Sequence, residues 1–189
     1  MKEAVLAGTL VYGDWNCGAS RLDTTRVGRA VADLHIMLEQ PCATLEERAA
    51  VLDATSLAME IDENGRDTAS LIRSWQLGFM DAVALNLSKF DDLSQMRLAR
   101  DLCLDLGVKM CIEDIWGLDI TTGNALCLAA ATPLSGIMNI CDLSGYVGPR
   151  RDPSAPACDG GYTISPTAHG IGINPDLDFL GAPVLELSA

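Results

Sequence analysis

Three carboxylate side chains recur at nearly equal intervals early in the chain, each at the end of an apolar run. Asp14 follows Thr-Leu-Val-Tyr-Gly, Glu39 follows His-Ile-Met-Leu, and Asp62 follows Leu-Ala-Met-Glu-Ile. The steps are 25 residues (14 to 39) and 23 residues (39 to 62), and a strand, a helix and two short loops take about 25 residues. One acid per such unit, always at the same strand end, would converge on one point. Three hard oxygen ligands at one point favour Mg²⁺.

A simpler interpretation is open for each acid taken alone. Loops that lead from a strand into a helix often carry Asp, Glu or Asn as helix caps. A single acid of this kind is better explained by a cap or a solvated charge than by a metal ligand. Three acids in phase, each after a buried strand, make a shared metal site an equal alternative.

Composition and charge limit the possible partners. The 189 residues, 49% of them hydrophobic, suffice for one globular domain with a full core. The net charge of −13 disfavours nucleic acid and anionic membranes as partners and suits a divalent cation. Seven cysteines without a C-x-x-C spacing predict reduced thiols in the cytoplasm. Neither a signal peptide nor an apolar stretch long enough to span a membrane is evident.

The apolar pattern alternates between short continuous runs and helical spacing, which indicates alternating strands and helices. Continuous runs are typical of parallel strands buried on both faces, so the predicted fold class is α/β. We predict strands at residues 8–13, 35–39, 56–61, 82–87, 108–112 and 137–141, and helices at residues 23–33, 44–54, 67–78, 93–106 and 121–131.

Two segments are expected from this pattern. Residues 1–143 would form a partial (β/α)₈ TIM barrel of about six βα units. Residues 144–189 are rich in Gly and Pro and would form an extended C-terminal tail packing on the barrel. A closed barrel needs eight strands, and the missing ones would lie at the N-terminus.

The residues at the strand ends suggest metal-assisted removal of a proton, but they include no evident base for it. A Mg²⁺ held by three carboxylates could bind a substrate carboxylate and stabilise the enediolate formed when its α-proton is removed. This reaction needs a base, usually Lys or His. Asn86 is predicted to point inward but cannot accept a proton at neutral pH, and Lys89, three residues along the strand, should face away. His35 would lie on the wrong face of the barrel, and His169 lies in the tail.

Several motifs, in the correct order, resemble the enolase superfamily, specifically the C-terminal domain of its mandelate racemase and muconate lactonizing enzyme members. They are Gly-Asp-Trp-Asn at 13–16, Leu-Glu-Gln-Pro-Cys at 38–42, Ile-Asp-Glu at 61–63, Ile-Glu-Asp-Ile-Trp-Gly at 112–117 and the closing segment at 170–184. The Glu-Gln-Pro-Cys and Glu-Asp-x-Trp-Gly forms look closest to members that act on hydroxyproline or proline betaine, as dehydratases or epimerases.

The resemblance implies a role for each strand end. The three spaced acids would be the Mg²⁺ ligands, and Asn16 and Glu63 would lie beside the metal or the substrate. Glu113 or Asp114 would lie beside the substrate carboxylate. The implied reaction is removal of the α-proton from a small carboxylate substrate, such as hydroxyproline or another amino-acid derivative, leading to dehydration or epimerisation.

Three departures from the family pattern matter. The lysine that ends the sixth barrel strand in the family is Asn86 here, which we expect to be inactive in that role. The chain looks N-terminally truncated, because we expect it to lack both the strand with the K-x-K pair and the capping domain that closes over the substrate. The alternative function is therefore a catalytically impaired fragment that retains metal binding only. Exposed barrel edges predict homo-oligomers formed through those edges, a partner that supplies the missing part, or a fragment of low stability.

Overall fold

The computed structural model describes residues 9–34, 36–146 and 152–185. Its sheet contains six parallel strands, and their order in the sheet is their order along the chain. The predicted partial (β/α) barrel is confirmed. His35 lies outside the described residues. The strands are β1 (Tyr12–Asp14), β2 (Met37–Glu39), β3 (Ala58–Ile61), β4 (Ala82–Asn86), β5 (Lys109–Glu113) and β6 (Ile137–Cys141).

Helices connect successive strands, and their starts follow from capping side chains. The Thr44 hydroxyl accepts from the Glu47 backbone N–H at 3.2 Å, and the Glu47 carboxylate accepts from the Thr44 N–H, which closes a capping box. Asp67 forms a capping box with Ser70 at the next helix, and the Asp92 carboxylate caps the following one by accepting from the Gln95 N–H. The helices are α1 (Arg21–Ala30), α2 (Leu45–Thr55), α3 (Thr68–Gln76), α4 (Leu93–Leu106), α5 (Leu118–Ala130) and α6 (Leu177–Leu180).

The predicted elements differ from the observed ones mainly at their ends. The first helix ends at Ala30 and is followed by a separate 3₁₀ turn, Ala32–Leu34. The fifth begins at Leu118, directly after Gly117. The short helix α6 in the tail was not predicted. The difference that affects the site is in β4, which ends at Asn86 because Leu87–Lys89 turns into a 3₁₀ helix.

The apolar core lies between the sheet and the helices. In β3, Met59 and Ile61 are fully buried in this core, whereas Glu60 between them points to the opposite, inner face, because side chains alternate along a strand. Burying an apolar side chain of this size stabilises the fold by roughly 1.5–3 kcal/mol. The same core includes these fully buried side chains: Val51, Leu71, Val83, Leu85, Met110 and Ile112.

The sheet curls into a half-barrel whose two edges meet through side chains. Asn139 on β6 donates from Nδ2 to the hydroxyl oxygen of Tyr12 on β1, at 3.0 Å. Within the described residues β1 pairs only with β2, and β6 only with β5. The contact therefore crosses the barrel interior and joins two strands that share no backbone ladder.

The described part of the tail packs on α5. The Asp152 backbone N–H donates to the Asp119 carboxylate at 2.9 Å, and the Asp152 carboxylate accepts from the Asn174 N–H at 2.7 Å. Cys127 of α5 contacts the Ile171 carbonyl. Among the residues the structure describes, none of the helices has the length and apolar character required to cross a membrane.

Candidate functional site

The strand register places the acids of the first three strands side by side. Asp14 pairs with Glu39, and Glu39 pairs with Glu60. Asp62 follows Glu60 by two residues and therefore continues the same face of the sheet. Four carboxylates thus meet at the carboxyl end of β1, β2 and β3, where the spacing analysis predicted three.

A cavity of about 540 Å³ opens at this end of the sheet. Seven of the eight predicted site residues line it, and Glu63 does not. The predicted residues in its wall are Asp14, Asn16, Glu39, Asp62, Asn86, Glu113 and Asp114. Tyr12, Ile115, Trp116, Cys141 and Leu143 complete the lining.

The tail forms a second cavity, of about 610 Å³. Its only ionisable lining groups are Asp159 and Tyr162, so it lacks the cluster of charged side chains that chemistry on a carboxylate substrate requires. We therefore place the candidate site in the smaller cavity at the strand ends.

Gln40 and the fully buried Arg48 fix the loops that carry Glu39 and Asp62. Arg48 donates to the Gln40 side-chain oxygen at 2.7 Å and to the Glu60 carbonyl at 2.6 Å. The same Gln40 oxygen accepts from the Asp62 backbone N–H at 3.0 Å. One amide therefore ties the end of β2 to the end of β3, which explains why Gln follows the acid at this position.

Asn16 holds the carboxylate of Asp14. Its backbone N–H donates to Asp14 Oδ1 at 2.8 Å, and its side-chain amide donates to Oδ2. The Asn16 backbone lies in the left-handed region, at φ 45°, which Asn tolerates better than most residues. The local turn thus folds Asn16 back onto the acid, beside the cavity as the resemblance implied.

The expectation that Lys89 faces away from the site is wrong. Its ammonium contacts the carboxylate of Asp62 and donates to the Ala84 carbonyl at 2.8 Å. The expectation assumed that the strand continues to residue 89, where alternation would turn the side chain outward. The chain instead enters a 3₁₀ turn after Asn86, which brings Lys89 back beneath the cavity wall.

The carboxylates at the strand ends are more numerous than the cations that could balance them. Burial, followed by the charges of Glu60 and Asp14, raises the pKa of Glu39 to about 9. Burial and the charge of Glu113 raise the pKa of Glu60 to about 8. Both oxygens of the Glu60 carboxylate are buried without a hydrogen-bond partner. A divalent cation would favour the ionised form of these crowded carboxyl groups and offset their mutual repulsion.

The donor set fits Mg²⁺ in its chemistry. Asp14, Glu39 and Asp62 offer hard carboxylate oxygens, which Mg²⁺ prefers, and all three face one cavity. Among the described residues these acids do not bring one oxygen each within 4.8 Å of one another. Two of them are engaged elsewhere, Asp14 with Asn16 and Asp62 with Lys89. The side chains must therefore move before all three can bind one ion.

On the opposite wall, Asn86 of β4 pairs in register with Glu113 of β5. Both line the cavity, and the Asn86 side-chain oxygen accepts from the Ser88 hydroxyl at 2.7 Å. Burial raises the pKa of Glu113, an effect that Lys89 partly offsets. These two side chains face the carboxylates of the first three strands and are placed to contact a bound molecule.

Asp114 and Glu63 have surroundings of another kind. The Asp114 carboxylate accepts from the Thr122 hydroxyl at 2.7 Å, from the Ser144 N–H at 3.0 Å and from the Trp116 N–H at 3.2 Å. These bonds favour a role in fixing the loops after β5 and β6. Glu63 lies outside the cavity lining, and burial raises the pKa of its carboxyl group.

Sequence reasoning missed two charged residues at this site. Glu60 could have been found, because it precedes Asp62 by two residues and must share its face. Lys89 gave no such signal, since its orientation depends on the end of β4. Cys141 and Tyr12 also line the cavity, but an apolar run gives no reason to select one thiol or phenol within it.

Comparison with known proteins gives consistent matches. Residues 1–179 match the enolase C-terminal domain-like family. The cis-3-hydroxy-L-proline dehydratase of Roseibium aggregatum is 35% identical over 179 residues, which are 95% of this chain and 49% of that protein. The crystal structure of a mandelate racemase/muconate lactonizing enzyme from Roseovarius nubinhibens ISM has a TM-score of 0.89 and 29% identity, covering 97% of this chain and 51% of that one.

A second solved structure from Roseovarius nubinhibens ISM, an enolase-superfamily member complexed with magnesium, has a TM-score of 0.89 and 27% identity over 94% of this chain and 48% of its own. The chain thus spans about half the length of the relatives it matches. The match over residues 1–179 and the half-barrel with its strand-end acids lead to one conclusion: the chain belongs to the enolase C-terminal domain-like family.

Proposed function

We propose that this chain forms the metal-binding barrel portion of a Mg²⁺-dependent lyase or isomerase that removes the α-proton of a small carboxylate substrate. The observation that carries the proposal is the convergence of Asp14, Glu39 and Asp62 on one cavity. The 35% identical cis-3-hydroxy-L-proline dehydratase supports a hydroxyproline or a related amino-acid derivative as substrate. Dehydration and epimerisation are the two proposed outcomes.

In this proposal the three acids hold the ion, and Asn16, Gln40 and Lys89 hold the segments that carry them. When bound, Mg²⁺ supplies positive charge against the negative charge that develops on the substrate carboxylate. On the opposite wall Asn86 and Glu113 orient the substrate by hydrogen bonds, because both face the cavity.

The indole of Trp116 lies at the mouth of the cavity. It is about half exposed, at 52%, and together with Ile115 it gives the lining an apolar patch. We propose that this patch packs on the ring of the substrate and excludes water from the reacting carbon.

A second candidate function is metal binding without turnover, and Asn86 favours it. Asn86 lines the cavity at the position of the family lysine, and an amide does not take up a proton at neutral pH. Loss of one acid–base group commonly lowers the rate about 10²–10⁴-fold. Lys89 does not replace it directly, because its ammonium is engaged with Asp62 and the Ala84 carbonyl.

Isothermal titration with Mg²⁺ and proton exchange in deuterated water test the proposal together. We expect one Mg²⁺ per chain and α-deuteration of cis-3-hydroxy-L-proline, followed by NMR. Glu39→Gln should weaken Mg²⁺ binding at least about tenfold, whereas Asp53→Asn, which removes an exposed charge on α2, should not. A folded wild-type chain that binds no Mg²⁺ would contradict both candidate functions.

Proton exchange by the wild-type chain separates the two candidates, and Asn86→Lys tests whether the absent lysine is the cause of any inactivity. If the chain is an active enzyme, wild type exchanges the α-proton and the variant changes the rate only modestly. If it is a metal-binding remnant, wild type shows no exchange while still binding Mg²⁺. A gain of exchange in the variant, of about 10²-fold or more, would show that the missing lysine alone limits the chemistry.

We also propose that the two edges of the sheet pair with another polypeptide segment, a second copy of this chain being the simplest. Strands β1 and β6 each pair on one side only within the described residues, and unpaired edges invite further strands. Light scattering after size exclusion should give the mass of a dimer or larger species. A monomer at all concentrations would contradict this arrangement.

A further inference from the structure

The inner face of β5 and β6 carries two thiols that the proposed magnesium chemistry does not use, next to the carboxylate of Glu113. Cys111 and Glu113 lie on β5, and Cys141 ends β6. One ligand atom from each of the three lies within 4.8 Å of the other two, and this is the one such set among the described residues. We call these three residues the thiol cluster.

A register irregularity creates this cluster. Met110 pairs with Ile137, but the next residue, Cys111, pairs with Asn139, so Met138 is an extra residue in β6. A shift of one residue exchanges the two faces of a strand. Without Met138 as the extra residue, Cys141 would lie on the face opposite Cys111. The bulge therefore turns Cys141 toward Cys111 and Glu113.

Two of the three distances between the ligand atoms match the edges of a tetrahedral metal site, and the third, between Cys141 and Glu113, is within 4.8 Å. With metal–sulfur bonds of about 2.3 Å and metal–oxygen bonds of about 2.1 Å, tetrahedral Zn²⁺ places its ligands about 3.8 Å (S to S) and about 3.6 Å (S to O) apart. The Cys111 and Cys141 sulfurs are 3.6 Å apart, and the Cys111 sulfur lies 3.5 Å from Glu113 Oε1.

The sulfur–sulfur distance alone would also suit a hydrogen bond between two thiols. The carboxylate oxygen at the matching distance and the open side distinguish the two cases. Cys111 is buried at 1% exposure, whereas Cys141 and Glu113 line the cavity. The fourth position of a tetrahedron therefore faces solvent, where water can complete it.

The side chain of Asn139, beside the cluster, also suits thiolate ligands. Asn139 places Nδ2 3.7 Å from the Cys141 sulfur and donates from the same nitrogen to Tyr12. A polar N–H beside a thiolate stabilises its negative charge and fixes its direction.

We propose that Cys111, Cys141 and Glu113 form a site for a thiophilic divalent cation, of which Zn²⁺ is the natural example, with an open fourth position toward the cavity. Soft sulfur ligands select Zn²⁺ over Mg²⁺, whereas the acids on β1, β2 and β3 have the opposite preference. The two sites therefore differ in ligand chemistry, but they share one cavity and one residue, Glu113, which the proposed function also places beside the substrate.

Cobalt substitution provides a direct test, because Co²⁺ bound to thiolates shows a sulfur-to-metal charge-transfer absorption. We expect this absorption to saturate at one Co²⁺ per chain and to be displaced by Zn²⁺ but not by excess Mg²⁺. Cys111→Ser and Cys141→Ser should each abolish it, and Glu113→Gln should weaken Co²⁺ binding at least about tenfold. Cys103→Ser, a buried core thiol outside the cluster, and Glu39→Gln should leave it unchanged.

X-ray absorption of the Zn²⁺-loaded wild-type chain keeps the test decisive if a serine variant fails to fold. We expect two sulfur neighbours at about 2.3 Å and the remaining neighbours from oxygen or nitrogen. A shell of oxygen and nitrogen alone, or an unchanged cobalt absorption in folded Cys111→Ser and Cys141→Ser, would overturn the proposal. Mg²⁺ binding by the wild type would stand in either case, so failure here is distinct from failure of the proposed function.

Discussion

The two walls of the cavity differ in the kind of ligand they present. The acid wall, on β1, β2 and β3, consists of Asp14, Glu39, Glu60 and Asp62. The thiol cluster on β5 and β6 offers two sulfurs and one carboxylate. Hard oxygen donors suit Mg²⁺ and soft sulfur donors suit Zn²⁺. One half-barrel interior thus offers two metal chemistries on opposite walls.

The walls differ also in how they are supported. The acid wall is crowded with carboxyl groups and depends on a buried arginine, an amide and one lysine for its geometry. The thiol cluster depends on a bulge in the backbone pairing of β6. Changes to the arginine, amide and lysine that support the first wall should therefore disturb it and leave the second wall intact.

Replacement of Arg48 should have the largest effect. Arg48→Met removes the donors to Gln40 and to the Glu60 carbonyl, and each buried acceptor left without its partner costs about 1–3 kcal/mol. Urea unfolding at pH 7 measures this loss. Because Gln40 also positions Asp62, Mg²⁺ affinity should fall, while cobalt absorption by the thiol cluster persists in the folded fraction.

Arg100 provides the matched control for this prediction. It is also largely buried, but it donates to the Ala131 carbonyl at 2.6 Å, between α4 and the end of α5. Arg100→Met should destabilise the chain without changing Mg²⁺ affinity. Equal Mg²⁺ affinities in both variants would show that the buried arginine does not organise the acid wall.

The stability of the metal-free chain should fall as the pH rises. The carboxyl groups of Glu39 and Glu60 have a pKa near 4.5 when unfolded and pKa values raised by burial to about 9 and about 8 in the fold. Between these values the folded chain holds protons that the unfolded chain has released, so raising the pH disfavours folding. We expect a loss of at least about 2 kcal/mol between about pH 5 and pH 9.

Urea unfolding in the presence of EDTA, repeated across this pH range, measures this loss in the free energy of unfolding. Glu60→Gln, which is neutral at every pH, should flatten the profile and be more stable than wild type at pH 8. Asp53→Asn should follow wild type. A profile in wild type that is level or rises with pH would show that these carboxyl groups are ionised in the fold.

Lys89 should contribute less, by about 1–2 kcal/mol, because its pair with Asp62 is partly exposed, with 10% and 16% of the side chains accessible. Lys89→Met leaves the Asp62 charge among other carboxylates, so Mg²⁺ should restore more stability in this variant than in wild type. Lys89→Arg keeps the charge and serves as control. Thermal unfolding with and without Mg²⁺ compares them, and equal Mg²⁺ shifts in Lys89→Met and wild type would refute the argument.

The contrast between Asp62 and Lys89 shows how far sequence reasoning reaches. The fold class and the position of Asp62 follow from patterns that depend only on chain distance: the alternation of strand and helix, and an acid at each strand end. Lys89 lies only 27 residues further, yet its direction depends on where β4 stops. The end of β4 is set by the local backbone geometry, and no residue near Asn86 indicates it in the sequence.

The thiol cluster was beyond prediction for a different reason. Cys111 and Cys141 stand in apolar runs where a buried thiol is ordinary, and their encounter depends on one extra residue, Met138, in the pairing of β6. An ideal register would have placed Cys141 on the other face. The alternation of side chains predicts which face of the sheet a residue occupies only where the strand register is regular. Contacts between strands beyond a bulge can therefore be identified only from the structure.

The smallest expected effect concerns the bond that joins the two edges of the sheet. Tyr12→Phe removes the hydroxyl that accepts from Asn139, at a cost of about 1 kcal/mol. A double-mutant cycle with Asn139→Ala should give a coupling free energy of about 0.5–1 kcal/mol in urea unfolding. A coupling near zero would mean that the edges do not support each other and that the curl of the sheet is set by backbone pairing alone. A measurable coupling would mean that this contact between β1 and β6 stabilises the curled form of the sheet.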